Sequence, residues 1–278
     1  MSTYLSAIVA AHRAAAAEDG RDLGSLVEAA LGAPEPVPFA AALAARSLTG
    51  LGVVAEVKRR SPSKGDLAPD LDPAALASEY ARGGATCLSV LTDVDYFGGS
   101  AQDLREAKAA TGLPVLRKDF TVKPADVCDA RLMGADAVLL IVAALDPGEL
   151  AELSGLAARL GLDALVEVHD EGELQRALDL GASLVGVNQR DLVTFEVDPG
   201  RAERLAGSIP DGVVAVAESG VRDAADARAL AAAGFDAVLV GETLVRAGDA
   251  ASMAASLAGH PVGRRLRASG WRSHVLDR

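Results

Sequence analysis

The strongest constraint on the fold is a regular alternation of short apolar runs with longer alanine- and leucine-rich helical patterns. Strands buried on both faces read as continuous apolar runs, and strands that alternate with helical patterns are typical of βα units on a parallel sheet. The eight apolar runs fall near residues 51–57, 86–91, 114–117, 136–142, 163–168, 184–187, 213–217 and 236–240. The chain therefore predicts a parallel sheet of eight strands.

A recurring turn groups these units in pairs. Four glycines each end a helical pattern and precede an apolar run: Gly84, Gly134, Gly181 and Gly234. They lie 50, 47 and 53 residues apart, about two βα units each. Glycine suits the position after a helix because it adopts the left-handed backbone without steric cost. Fourfold order predicts an α/β fold closed into a (β/α)8 TIM barrel. An open doubly wound sheet is the alternative, but no G-x-G-x-x-G turn follows the first run.

The length suits one large domain, because half of the 278 residues are apolar. Residues 47–260 are assigned to the barrel. Residues 1–46 show two amphipathic helical patterns that end before Pro34 and predict an N-terminal helical extension. Residues 261–278 contain several arginines and Trp271 and are interpreted as a frayed basic C-terminal tail.

Composition argues against several classes of function. The formal net charge of −12 would repel a polyanion, so no nucleic-acid partner is expected. No run reaches the roughly 18 apolar residues that span a bilayer, and no secretory signal begins the chain, which predicts a cytoplasmic protein without a membrane partner. Cys87 and Cys128 are too few for a disulfide framework and are interpreted as buried thiols. The four histidines show no metal-ligand spacing, so no metal site is expected.

Polar residues follow six of the eight runs. They are Glu56 and Lys58; Lys118 and Asp119; Glu167 and His169; Asn188 and Arg190; Glu218, Ser219 and Gly220; and Gly241 and Glu242. Any one of them could simply mark where a strand meets solvent. Catalytic residues of a barrel lie at the carboxyl ends of its strands, so the coincidence of six predicts an active site there.

The first strand carries an acid and a base before an anion-binding loop. Glu56 and Lys58 are two residues apart and share one face of a strand. The loop that follows contains Ser61, Ser63 and Gly65, small residues whose amides can approach an anion. This stretch predicts acid–base chemistry beside an anionic group.

Lysine is scarce in this arginine-rich chain. The lysines are Lys58, Lys64, Lys108, Lys118 and Lys123. Retaining Lys58 and Lys118 at strand ends suggests a task that guanidinium cannot perform, such as proton transfer or Schiff-base formation. Two cations at the same open end, or mouth, of the barrel are expected to lower each other's pKa. Lys64 and Lys123 are equally well explained as solvated loop residues.

These motifs together resemble the indole-3-glycerol-phosphate synthase family from about Val53 to Val245. The matching segments are AEVKRRSPS (55–63), SVLTD (89–93), YFGGS (96–100), LRKDF (116–120), LLIVA (139–143), LVEVH (165–169), GVNQRDL (186–192) and AESG (217–220). The resemblance implies a carboxy-lyase of tryptophan biosynthesis that uses no cofactor. Its substrate would be a small phosphorylated anthranilate derivative, 1-(2-carboxyphenylamino)-1-deoxyribulose 5-phosphate, which closes to indole-3-glycerol phosphate with loss of carbon dioxide and water.

The resemblance also implies catalytic roles. Lys118 matches the family's general acid and Glu167 its general base. Lys58 matches a lysine that pairs with the substrate carboxylate and takes part in proton transfer. Glu56 and Asn188 match residues that hold the lysines and the sugar hydroxyls, and Glu218 matches a further polar support.

Substrate binding is implied at the same strand ends. The phosphate is expected near the amides of Gly220 and Gly241. The candidates to enclose the aromatic ring are Leu91, Phe97, Phe120 and Leu139, although plain core positions would explain these apolar residues equally well. The predicted substrate-binding residues are Ser61, Phe97, Phe120, Leu139, Arg190, Ser219, Gly220, Gly241 and Glu242.

Several points depart from the family or stay open. Gln189 stands where the family often has Asn or Ala, and it is expected to matter little. The N-terminal segment matches poorly; by analogy it should pack on the barrel and help cover the mouth. A Schiff-base aldolase using Lys118 and a barrel kept as a binding module are the rival functions. A monomer is expected, with weak self-association left open.

Overall fold

The architecture is a closed barrel of eight parallel strands, seen in a computed structural model that describes residues 4–62, 64–191 and 193–265. The strands are β1 Gly52–Val57, β2 Cys87–Leu91, β3 Val115–Lys118, β4 Ala137–Ile141, β5 Asp163–Val168, β6 Leu184–Asn188, β7 Val214–Glu218 and β8 Ala237–Val240. Each strand pairs with its neighbours in sequence, and β8 closes the barrel onto β1. The predicted (β/α)8 TIM barrel is confirmed.

Helices cover the outside of the barrel. The helices that follow β1 are α4 Pro73–Arg82, α5 Ala101–Thr111, α6 Pro124–Met133, α7 Pro147–Arg159, α8 Glu171–Asp179, α9 Arg201–Ala206, α10 Ala224–Ala232, α11 Glu242–Val245 and α12 Ala250–Leu257. The outward strand residues, such as Val53 and Leu88, pack with helix residues in one continuous core. Among the described residues, a two-residue antiparallel hairpin, Arg60–Ser61 with Gly65–Asp66, follows β1.

The predicted recurring turn is present. Gly84, Gly134, Gly181 and Gly234 all have positive φ angles, between 82° and 97°. Because an L side chain rarely adopts this conformation, glycine lets each helix end and the next strand begin within a few residues.

Three helices precede the barrel, where the sequence predicted two: α1 Tyr4–Glu18, α2 Leu23–Leu31 and α3 Phe39–Ser47. The helix that the sequence missed, α3, inserts Phe39 and Leu43 into the bottom of the barrel, where both are fully buried. Its N-terminal amide at Ala40 donates to Asp163 at the start of β5, at 2.8 Å. The segment was missed because its sequence, FAAALAARS, carries two large apolar residues among alanines directly after Pro38.

The barrel interior consists of layers that alternate strands contribute. The strand registers place Val54, Leu116, Leu165 and Val216 of the odd strands in one layer, which we call the apolar layer. Two residues further along the same strands lie Glu56, Lys118, Glu167 and Glu218, which we call the charged layer. Between the two layers lie the inward residues of the even strands, Ser89, Leu139, Gly186 and Leu239.

The start of the predicted tail is bound to the barrel rather than frayed. Arg265 donates through Nε to Gly234 O at 2.9 Å and pairs with Asp236. Arg267, Trp271 and Arg272 lie outside the described residues, as does Ser63. Cys87 and Cys128 are both buried free thiols, as predicted. Within the described part of the chain, no helix is both long and apolar enough to cross a bilayer.

Candidate active site

A cavity of about 810 Å³ opens at the carboxyl end of the barrel. Every residue that the sequence predicted for catalysis or substrate binding lines it: Glu56, Lys58, Ser61, Phe97, Lys118, Phe120, Leu139, Glu167, Asn188, Arg190, Glu218, Ser219, Gly220, Gly241 and Glu242. The strands explain this convergence, because the side chains that point inward at the last positions of a parallel barrel meet at one mouth.

The charged layer forms the floor of the cavity. Lys118 Nζ lies 3.2 Å from Glu167 Oε2 and 3.7 Å from Glu218 Oε2. On the next strand Asn188 donates through Nδ2 to Glu167 Oε1 at 3.2 Å. Glu167 and Glu218 are almost completely buried. One ammonium group is thus enclosed by carboxylates with little solvent to screen them.

This enclosure keeps Lys118 protonated. Burial alone lowers the pKa of Lys118, but the charges of Glu167, Glu218 and Glu56 outweigh burial and hold the pKa well above its ordinary value. The expectation that Lys58 and Lys118 lower each other's pKa is therefore wrong for Lys118. The sequence placed the two lysines together but did not show how many carboxylates surround them.

The two buried carboxyl groups beside Lys118 differ from one another. Burial raises the pKa of Glu167, but the charges of Lys118 and His169 and the bond from Asn188 outweigh it, so the net pKa lies below the ordinary value. Burial and then the charge of Glu167 raise the pKa of Glu218 well above its ordinary value. Among the described residues, Glu218 Oε1 has no hydrogen-bond partner. One group thus favours the base form and the other the neutral form.

A second ion pair lies beside the layer. Lys58 Nζ donates to Glu56 Oε1 at 2.5 Å, and Ser89 Oγ lies 3.5 Å from Glu56 Oε2. Two glycines, Gly241 and Gly186, leave space for the buried carboxylates. A Cβ atom on Gly241 would lie 2.3 Å from Glu56 Oε1, and one on Gly186 would lie 2.0 Å from Glu218 Oε1. These glycines are needed for the room they leave to the carboxylates.

A left-handed turn follows β7. Ser219 and Gly220 have φ angles of 64° and 78°, and the value at Ser219 is unusual for a residue with a side chain. Buried Gln189 donates through Nε2 to Ser219 O at 2.7 Å and so supports this turn from the neighbouring strand. Gln189 was expected to matter little, because its partner in the turn after β7 is not visible in the sequence.

Part of the cavity wall comes from residues to which the sequence assigned no role. Tyr4, Leu5 and Ile8 of α1 line the mouth, as does Phe195 in the loop after β6. The Tyr4 ring contacts the Phe195 ring edge-on, with centroids 5.2 Å apart. These contacts agree with the expectation that the N-terminal segment helps to cover the mouth. The spacing of the α1 residues marks one apolar helix face, but the sequence did not show which of them would reach the cavity.

His12 lies beside two aspartates, a cluster that the sequence spacing did not reveal. One nitrogen of His12 and one oxygen each of Asp93 and Asp119, atoms of the kind that bind metal ions, lie within 4.8 Å of one another. All three are already hydrogen bonded: His12 Nε2 to Asp93 at 2.9 Å, and Asp119 to Arg117 Nη2 at 2.9 Å. His169 lies 3.5 Å from Glu167 and 3.0 Å from Glu173. Lys64 lines the cavity, whereas Lys123 is paired with Asp19 at 2.7 Å.

Solved structures of the same fold support the barrel assignment. The chain resembles thiamine phosphate pyrophosphorylase from Pyrococcus furiosus with a TM-score of 0.56 at 18% identity, over 74% of this chain and 93% of that one. It also resembles (S)-3-O-geranylgeranylglyceryl phosphate synthase from Thermoplasma acidophilum, with a TM-score of 0.55 at 16% identity, over 80% of this chain and 97% of that one. At these identities the similarity concerns the fold alone.

Sequence relatives are much closer. The family model described as indole-3-glycerol phosphate synthase matches residues 5–257. Indole-3-glycerol phosphate synthase 2 of Streptomyces coelicolor is 53% identical over 86% of this chain and 92% of its own length. The indole-3-glycerol phosphate synthase of Mycolicibacterium smegmatis is 51% identical over 92% of this chain and 94% of its own length. With the barrel and its charged mouth, these matches show that the chain belongs to the indole-3-glycerol phosphate synthase family, carboxy-lyases of tryptophan biosynthesis.

Proposed function

We propose that the charged layer closes the indole ring of 1-(2-carboxyphenylamino)-1-deoxyribulose 5-phosphate, with Lys118 as general acid and Glu167 as general base. The observation that carries this assignment is geometric: Lys118 Nζ lies 3.2 Å from Glu167 Oε2 at the floor of the cavity. The raised pKa of Lys118 keeps the lysine protonated, and the lowered pKa of Glu167 keeps the glutamate ionised. A protonated acid and an ionised base are thus held together at neutral pH, as ring closure requires.

The first step forms a carbon–carbon bond. The ring carbon that bears the carboxylate attacks the ketone at C2, and Lys118 donates its proton to the ketone oxygen, which becomes a hydroxyl group. Carbon dioxide then leaves, and the electron pair of the broken bond restores the aromatic ring. We expect Lys58 to pair with the substrate carboxylate before it departs, with Glu56 holding the lysine in place at 2.5 Å.

The second step removes water. The hydroxyl group takes a proton from one of the two lysines and leaves, while C1 gives its proton to Glu167, so that the double bond of the indole forms. Asn188 supports this role because its bond to Glu167 Oε1 holds the carboxylate toward the cavity. A neutral Glu218 would limit the negative charge beside Glu167, consistent with its raised pKa.

The remaining lining residues are assigned to binding. We place the phosphate at the amides of Gly220 and Gly241, with Ser61, Ser219 and Arg190 as further donors and Glu242 at its edge. We place the aminobenzoate ring between Phe97, Phe120 and Leu139. In support, the Phe97 and Phe120 rings lie 6.3 Å apart in the segments that follow β2 and β3, and they line the same cavity as the Ser219 turn that follows β7.

The Schiff-base aldolase alternative fits this pocket less well. An amine must be neutral to attack a carbonyl carbon, and the carboxylates around Lys118 favour its protonated form. Borohydride added with substrate would trap such an intermediate, and we expect it to leave the enzyme active.

The decisive experiment follows ultraviolet absorbance of the indole product together with released carbon dioxide. We expect equal amounts of both from the purified chain. Substrate that binds without turnover would contradict the proposal and favour a binding module.

We further expect the active form to be a monomer in the cytoplasm, which ultracentrifugation and cell fractionation would test.

A further inference from the structure

We infer that His12, on the N-terminal helix α1, is a positioning residue that fixes the two aromatic walls of the substrate pocket. The inference rests on the proposed function for the identity of the ring that these walls hold. None of the sequence motifs had assigned a role to a residue of α1.

The first observation is the bond between His12 and the loop after β2. His12 Nε2 lies 2.9 Å from Asp93 Oδ2, and the Asp93 side chain is only 4% exposed. A buried carboxylate without a partner is costly, so removing His12 would leave one oxygen of Asp93 unsatisfied. Asp93 is therefore the point at which α1 acts on the barrel.

The second observation connects Asp93 to the first wall. Its other oxygen, Oδ1, accepts the backbone amides of Tyr96 at 2.6 Å and Phe97 at 3.1 Å. These bonds form a tight turn whose last residue, Phe97, lines the cavity. His12 thus orients the carboxylate that in turn fixes the backbone of Phe97.

The third observation concerns the second wall. The His12 ring lies 5.3 Å from the Phe120 ring at an interplanar angle of 44°. Phe120 lines the same cavity 6.3 Å from Phe97. A single imidazole therefore contacts one wall directly and holds the other through Asp93.

The electrostatic surroundings support this arrangement. The hydrogen bond to Asp93 raises the pKa of His12 above its ordinary value against the effect of burial, with further contributions from the charges of Asp119 and Asp126. A protonated imidazole on a buried carboxylate forms a stronger bond than a neutral pair would.

Two substitutions of His12 separate its bond from its ring. His12→Phe keeps an aromatic ring beside Phe120 but removes the donor to Asp93. His12→Gln keeps a donor of similar reach but removes the ring. Arg13→Gln is the matched control, because Arg13 also ties α1 to the barrel, through two bonds to Glu149 at 2.6 and 2.7 Å, without touching the aromatic walls.

We expect His12→Phe to raise KM about tenfold with kcat changed less than about twofold, the pattern of lost uniform binding. His12→Gln should recover most of this loss, and Arg13→Gln should stay within about twofold of the parent in both constants. An unchanged KM in His12→Phe, no recovery in His12→Gln, or an equal rise in Arg13→Gln would each overturn the inference.

Two fragments test which end of the pocket responds. Anthranilate and inorganic phosphate are used as competitive inhibitors of the parent and of His12→Phe. We expect the inhibition constant of anthranilate to rise about tenfold, in parallel with KM, and that of phosphate to stay constant. Equal weakening of both would contradict a local role. Failure of the proposed function is recognised separately, because the parent would then form no indole product.

Discussion

The apolar layer and the charged layer lie on the same four strands, two residues apart, yet their chemistry is opposite. Both layers point into the barrel, and their residues are buried except Lys118, whose side chain is 16% exposed. The apolar layer, with Leu116 and Leu165, belongs to one apolar cluster with Phe39 and Leu43 of α3. The charged layer contains one lysine and three glutamates and faces the open cavity. At about 3.3 Å per residue, the charged layer lies only about 7 Å along the strands from the apolar layer.

This contrast teaches why a barrel can hold such a concentration of charge. Three carboxyl groups around one ammonium oppose folding through desolvation, so the layers beneath them must supply the stability. Substitutions in the two layers should then have opposite consequences, with large losses of turnover above and large losses of stability below.

Glu167→Gln should have the largest effect on turnover. Glutamine keeps the size and can still accept the bond from Asn188, but it cannot take a proton. We expect kcat to fall about 10²- to 10⁴-fold, the usual range for a general base. Steady-state kinetics with a thermal melt provide the measurement. A variant that keeps most of its turnover would remove Glu167 from the mechanism.

Lys118→Arg should lower kcat by about 10²-fold, because guanidinium keeps the charge but its planar fork cannot take the place of the ammonium group as proton donor to the ketone oxygen. Substrate affinity should change little, since the positive charge remains. Turnover and affinity measured at several pH values distinguish the two effects. A loss of less than tenfold would assign the acid to Lys58 instead.

Glu218→Gln should cost less than about tenfold at neutral pH, because glutamine resembles the neutral carboxyl group that the raised pKa favours. A raised pKa contributes stability below the ordinary value of 4.5, and the contribution is lost as pH rises through the folded-state pKa. The variant should therefore gain stability relative to the parent at alkaline pH. Melting curves across pH test this, and a constant difference would show that Glu218 is ionised throughout.

Leu165→Ala should change the turnover of the folded enzyme least and its stability most. Leu165 is on the same strand as Glu167 and is almost fully buried. We expect a loss of about 2–5 kcal/mol in the free energy of unfolding, as for other buried leucines. Denaturant unfolding and active-site titration give the two quantities. If turnover per folded molecule fell as far as in Glu167→Gln, the two layers would not be separable.

The sequence predicted the barrel well because its signals are local. Each strand is a short apolar run, and the turns at Gly84, Gly134, Gly181 and Gly234 depend on backbone preferences that one residue expresses. The polar strand ends were also predictable, since the fold brings any residue at that position to the same mouth.

What the sequence did not reveal depends on partners distant along the chain. The pKa of Lys118 is set by carboxylates on three other strands, and Gln189 acts on a carbonyl group in the turn after β7. Likewise α3 carries little periodic signal, and the residues of α1 acquire a meaning only where the helix docks. Spacing within one segment holds no information about such partners.

The position of α1 across the mouth affects the order of events during synthesis. His12 and Asp93 are 81 residues apart, and Arg13 and Glu149 are 136 residues apart. At roughly 5–20 residues per second, the ribosome adds Asp93 about 4 to 16 seconds after His12. A helix of 15 residues is only marginally stable by itself in water. Until Asp93 and Glu149 have been added, α1 cannot make its contacts with the barrel. Helix α1 is therefore among the segments that reach their final contacts late, and through that interval it is open to chaperones and proteases.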